Sequence, residues 1–193
     1  MNLNIVTLCD EIPDEKVQYA EPIDLIFCLG DIEDYWLSQR ITELKPAFGV
    51  LGIKGNHDSA GSLIHSRADI SFQQQTIDLR GKSLTFFGIP GSWKYKPFGH
   101  WLYTQEEMQE KLTSIPRVDF VLSHNSPANI GHERRGETMP DGVHQGFQAL
   151  TDYIASHQPK FLFHGHQHAR KISHIVGTTV VGCFGEELHS ISI

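Results

Sequence analysis

The chain has little of what marks a secreted, membrane-bound or nucleic-acid-coating protein. Its three cysteines, Cys9, Cys28 and Cys183, are scattered without a CxxC pair, which argues against a disulfide framework and fits a reducing compartment. No apolar run approaches the roughly 20 residues needed to span a bilayer. The amino terminus opens into the strand-like run Leu3 to Leu8, without a basic patch and signal-like core. These absences lead to the expectation of a cytoplasmic protein with no membrane partner. Positive charge is also scarce: 16 Lys and Arg against 23 Asp and Glu leave a net charge of −7. Phosphate backbones are held mainly by Lys and Arg, so nucleic-acid binding is disfavoured. Anionic substrates stay open, because bound divalent cations reverse the local field. Repeats, low-complexity tracts and long Gly/Ser/Pro linkers are missing too, so residues 1–193 read as one domain, large enough to bury a core. The composition leaves the oligomeric state open.

Histidine is abundant instead, with twelve residues, nine of them after position 120. Short apolar runs alternate with helix-like segments. Leu3–Leu8, Leu25–Leu29 and Val50–Ile53 predict buried strands that end in polar loops. Asp34 to Leu44 carries Leu37, Ile41 and Leu44 at helical spacing, and Thr76–Leu79 and Ser83–Gly88 flank a hairpin turn at Arg80-Gly81-Lys82. A helix is predicted from Thr104 to about Leu112, with Glu107 placed for a capping box. Further on, Phe120–Ser123 predicts a strand and Gly146 to His157 a helix. Phe161–His164, Lys171–Ile175, Thr179–Phe184 and Leu188–Ile193 predict strands arranged as a meander. βαβ units followed by a meander imply two packed sheets with helices outside.

The chemistry-bearing side chains fall just past the strand ends. Asp10 comes after the first strand, and Asp31, within Gly30-Asp31, after the second. Asn56, His57 and Asp58 come after the third in Gly55-Asn56-His57-Asp58, and His124 after a fourth. His166 and His168 come after a fifth, in His164-Gly165-His166-Gln167-His168. Ligands bind beyond the carboxyl ends of strands in open α/β sheets, where residues distant in sequence converge. Five such ends bearing carboxylate, amide or imidazole point to two-metal catalysis, in which two divalent ions clamp the substrate oxygens and the nucleophile. The donor set suits Mn, Fe, Zn or Co.

This ordered set resembles the calcineurin-like metallophosphoesterase superfamily, whose motifs are Asp-x-His, Gly-Asp, Gly-Asn-His-Asp/Glu, a His and Gly-His-x-His. The likeness runs from Asp10 to His168, and four of the five motifs are intact. It implies a four-layer α/β/β/α sandwich, two mixed sheets flanked by helices. It implies a hydrolase acting on a small phosphoester by direct attack of a metal-bound hydroxide, with a phosphodiester preferred to a phosphomonoester. Asp31 would bridge two ions. Asn56, His124 and His166 would complete one site, while Asp10 and His168 would belong to the other. His57 would protonate the leaving group, with Asp58 orienting it.

The first motif departs from the pattern, because Ile12 stands where histidine is expected. The first site then keeps Asp10, Asp31 and His168, and a weaker affinity or shifted metal preference is the expectation. Glu11 is a candidate substitute. In the loop Gly131 to Gly146, the residues Arg134, Arg135 and His144 either contact substrate phosphate or are merely solvated. Trp93, Tyr95, Phe98, Trp101 and Tyr103 form either a lid or stacking platform, or the packing of a long loop. His164 is expected to be a neighbour of the site and not a ligand. Ala169-Arg170 after His168 rejects the His-x-His-x-Asp-His signature of metallo-β-lactamase folds. Two rivals remain: a scaffold of the same fold without turnover, favoured by Ile12 and opposed by His57, and a nuclease, opposed by the acidic balance.

Overall fold

Strands whose alternate side chains are apolar on both sides need cover on both sides. Here that need builds four layers. The computed structural model describes residues 1–63, 68–132 and 142–193. The chain begins β1 (Asn2–Cys9), β2 (Leu25–Cys28), α1 (Asp34–Leu44) and β3 (Val50–Gly52). It continues with β4 (Gln74–Leu79), β5 (Lys82–Ile89), β6 (Ser92–Trp93), β7 (Leu102–Tyr103), α2 (Gln105–Leu112) and β8 (Phe120–Ser123). The last third holds α3 (Gln148–His157), β9 (Phe161–His164), β10 (Lys171–Ile175), β11 (Thr178–Gly182) and β12 (Gly185–Ser192).

One sheet has the order β12-β1-β2-β3 and the other β10-β11-β9-β8-β5-β4; β6 and β7 form a small separate pair. Alternation along β1 and β2 explains the packing. Leu3, Ile5, Leu25 and Phe27 face the second sheet, in one core with Phe86, Phe120 and Phe163. Their neighbours Val6, Leu8, Ile26 and Cys28 face outward and are covered by Leu37 of α1. The outer face of the second sheet is covered by Met108 and Leu112 of α2 and by Leu150 and Ile154 of α3. Phe27 stands at the centre. Its ring meets Phe86, Phe120 and Phe163 edge-on at 6.0, 6.4 and 5.3 Å, so one side chain of the first sheet touches three strands of the second.

Local signals held well where the chain partners itself. The α1 helix spans the expected residues, and Thr104 caps α2 as part of a reciprocal box with Glu107. Arg80 and Gly81, both at positive φ, turn β4 into β5 as a two-residue hairpin requires. The expected meander is corrected. Of its strands, β10 and β11 form a hairpin, whereas β11 lies parallel to β9 and β12 leaves to pair antiparallel with the whole of β1. Leu188 of β12 packs outward and Ile191 inward, an alternation that fits either sheet and so does not name its partner. The third helix starts at Gln148, later than expected, because Phe147 bridges to Pro127 and donates its N–H to Ser126 O (2.9 Å). Among the described residues no helix is long and apolar enough to cross a membrane.

Phe27→Ala is expected to lower stability by about 3–5 kcal/mol, because three rings would lose a shared partner and a cavity would open between the sheets. Urea unfolding of the two proteins measures this directly.

Candidate metal centre

The strands that carry the predicted ligands run in the same direction within their sheets: β1, β2 and β3 are parallel, as are β8 and β9. Their carboxyl ends meet on one edge of the sandwich. There the backbone is bent sharply. Asp10 (φ 62°), Asp31 (φ 56°), His166 (φ 62°) and His168 (φ 47°) all lie in the left-handed region. L residues adopt it rarely, at a cost of about 1–3 kcal/mol each, and such strain clusters at functional sites.

The side chains converge as the motif order implied. Ligand atoms of Asp10, Asp31 and His124 lie within 4.8 Å of one another. His124 Nε2 is 3.3 Å from Asp31 Oδ2 and 3.1 Å from Asn56 Oδ1. His168 Nε2 is 3.8 Å from Asp10 Oδ1, and the His124 and His166 rings are 5.0 Å apart. Asp31 and His166, 135 positions apart, share the wall of one cavity of about 390 Å³, which His57 also lines.

The electrostatics show carboxylates held in place by positive neighbours. Burial pushes the Asp31 carboxyl up, but the His124 imidazole and the His57 N–H outweigh it and hold the pKa down at about 2. Burial pushes His124 down, and Asp31 with Asp10 overcomes it, raising the imidazole to about 9. Asp10 stays raised by burial despite His124 and His168. Its Oδ1 is fully buried and accepts no hydrogen bond among the described residues. A buried carboxylate oxygen without a donor is costly. With further carboxylate, amide and imidazole groups within reach, the arrangement fits a divalent cation, and the donor set again suits Mn, Fe, Zn or Co. His124 Nδ1 faces Leu29 O at 2.7 Å, which turns Nε2 toward the centre, the usual outer support of a metal-bound imidazole.

Two glycines make the convergence feasible. A Cβ on Gly55 would lie 2.1 Å from Asp31 Oδ1, and one on Gly30 (φ 95°) would lie 2.4 Å from the Gly55 nitrogen. The loops after β2 and β3 can therefore approach closely enough for backbone to meet backbone. Asp58 stitches them: its Oδ2 accepts from Asp31 N (2.9 Å) and Gly55 N (2.7 Å). Asp58, expected to orient His57, makes these bonds to the backbone of the loops that flank it. His57 is exposed at the cavity mouth, and its N–H donates to Asp31 Oδ1 (2.8 Å).

His164 is buried, its Nε2 lies 2.8 Å from His132 Nδ1, and it is not among the residues that line the cavity. Glu11 is exposed and does not line the cavity. Arg134 and Arg135 lie outside the described residues. His144 lines the cavity. The aromatic segment divides. Tyr95 lines the cavity, with its hydroxyl 3.4 Å from Asn56 Nδ2, whereas Phe98 is 85% exposed and Trp93 and Tyr103 pack on the helix-side core. Tyr95 comes after β5, a strand parallel to β8, so its place beyond a strand end was the available signal. Gly55→Ala is expected to weaken Mn²⁺ binding at least tenfold with circular dichroism unchanged, because the added methyl displaces Asp31; calorimetric titration of the apoprotein checks it.

Residues 9–183 match the calcineurin-like phosphoesterase superfamily domain. A search of curated proteins returns no match. Among solved structures, one superposes over the full length of both chains with a TM-score of 0.66 and 12% identity. TT1561 of Thermus thermophilus superposes with a TM-score of 0.61 at 13% identity, covering 98% of each chain. GAP50, the anchor in the inner membrane complex of Plasmodium, gives 0.50 at 12% identity over 95% of this chain and 71% of its own. At such identities the structural likeness shows the fold alone.

Proposed function

The chain belongs to the calcineurin-like phosphoesterase superfamily, and on that premise we propose that it hydrolyses a small phosphoester, a diester in preference to a monoester. The observation that carries this reading is the orphaned Asp10 Oδ1 amid Asp31, Asn56, His124, His166 and His168. Divalent ions held there would neutralise phosphoryl oxygens and activate a water. Asp31 would hold both ions; His124, Asn56 and His166 would serve one, and Asp10 and His168 the other.

The remaining work belongs to the chain's own groups. His57 stands at the mouth, where it can reach a leaving oxygen without being drawn into the buried cluster, and gives that oxygen its proton. Its N–H on Asp31 fixes the loop that carries the ring. Asp58 keeps that loop against Gly30, and so positions both the acid and the central carboxylate. A cavity of about 390 Å³ suits a small substrate. No lysine or arginine among the described residues lines it. A phosphomonoester dianion is commonly met by such side chains, and a singly charged diester needs them less. The three free, buried cysteines suit a reducing, cytoplasmic setting.

The scaffold reading keeps one specific support: Ile12, 38% exposed, brings no imidazole to the first motif. Turnover separates the two. With added Mn²⁺, bis-para-nitrophenyl phosphate is expected to be cleaved faster than para-nitrophenyl phosphate. His57→Ala is expected to lower kcat by about 10²–10⁴ while metal content stays constant. The loss should grow for alkyl esters, whose leaving groups need the proton more. Wild-type rates no higher than those of His57→Ala would favour the scaffold.

A further inference from the structure

Ile12 leaves the first site with one imidazole fewer than the other motifs would lead one to expect, yet the cavity is not short of imidazoles. His144 comes from the loop ahead of α3, is 6% exposed, and lines the same wall as His166 and His168. Its ring centroid is 5.0 Å from that of His166 and 5.8 Å from that of His168. Together with the 5.0 Å pair of His124 and His166, the four rings form a continuous arc, and His144, His166 and His168 line the cavity with Asp10 and Asp31. With a metal–nitrogen distance of about 2.0–2.1 Å, two imidazoles on one ion hold their ring centres about 5 Å apart. His144 and His168, the pair that would share an ion, stand slightly wider than that at 5.8 Å.

The loop that carries His144 is held by the metal-bearing segments themselves. Gln167, fully buried between His166 and His168, donates its Nε2 to His144 O (3.0 Å) and also to Asn125 Oδ1 and Ser126 Oγ (3.0 Å each). Asn125, next to His124, donates its Nδ2 to Gln145 O (2.8 Å). His166 Nε2 lies 3.2 Å from Val143 O, so the carbonyls of Val143 and His144 answer to His166 and Gln167. A histidine whose backbone is fixed this firmly, in the cavity that Asp10 and His168 also line, is placed as a ligand is placed. A solvated or substrate-swept loop would not need two buried amides to hold its backbone.

We propose that His144 supplies the imidazole missing at position 12 and completes the first metal site with Asp10, Asp31 and His168. The proposal rests on the metal-centre reading above and deepens it. The ligand reaches the same site by a different route, from the loop before α3 and not from the loop after β1.

The test counts ions and does not need turnover. Apoprotein is dialysed against Mn²⁺ and the bound metal is counted, and Co²⁺ is followed by its visible absorption. Wild type is expected to bind two ions per chain. His144→Phe keeps a ring of similar bulk but offers no nitrogen, and is expected to hold one ion normally and the second about 10–100-fold more weakly, with a changed Co²⁺ spectrum. Adding Ile12→His to His144→Phe is expected to recover most of that loss. Undiminished two-ion binding by His144→Phe would overturn the proposal, and so would a loss that Ile12→His leaves untouched. Asp31→Asn serves as the separate control: if it still binds two ions normally, the metal-centre reading fails, whatever His144 does.

Discussion

The site depends on two backbone loops approaching more closely than side chains allow. Gly30 and Gly55 meet with no room for a Cβ on either, and the Asp31 carboxylate occupies the gap beside them. Everything at the centre depends on that contact. It lets Asp31, on one strand end, stand within reach of Asn56 on the next and of His124 on the other sheet. The left-handed conformations of Asp10, Asp31, His166 and His168 are the local cost, of the order of 1–3 kcal/mol apiece. A core of aromatic rings between two sheets is what over-determines those conformations, so the strain at the edge is held by packing in the middle.

The charges are arranged to the same end. Left to burial alone, Asp31 and Asp10 would both resist ionising and His124 would resist protonation. Their proximity reverses this for Asp31 and His124, which stabilise each other's charged forms, but not for Asp10, whose buried Oδ1 keeps no donor. A cation placed at Asp10 would satisfy what no side chain among the described residues does. His57 stands exposed at the edge of this cluster, with its backbone N–H on Asp31, a position that suits the proton donor proposed above.

Much of this was legible in the order of residues along the chain. Asp10, Asp31, Asn56, His124, His166 and His168 each come after an apolar run, and a parallel strand delivers the residues beyond its end to one edge. Helix limits were legible where the signal is local, as at Thr104 with Glu107. The features that escaped depend on a partner far away. The crossing of β12 to β1 was hidden because alternation gives a strand two faces but does not say which sheet they join. The backbone task of Asp58 was hidden because a carboxylate beside a histidine looks the same whether it meets ring or amide. Gln167 sat at the variable place of its motif, where only the buried amide network gives it meaning.

Ile12 shows where reading by motif reaches its limit. A motif specifies positions in sequence, whereas a metal specifies positions in space, and the second requirement is the physical one. The loop after β1 leaves both Glu11 and Ile12 exposed, while a loop more than a hundred residues later brings His144 into the cavity that Asp10 and Asp31 line. The two arrangements differ in which backbone must be held. A ligand two residues after Asp10 is held by its own strand, but one at position 144 needs anchoring from elsewhere, and Gln167 and Asn125 provide it from beside His166 and His124. The buried amides next to His166 and His124 would then answer the same requirement that the missing histidine raises.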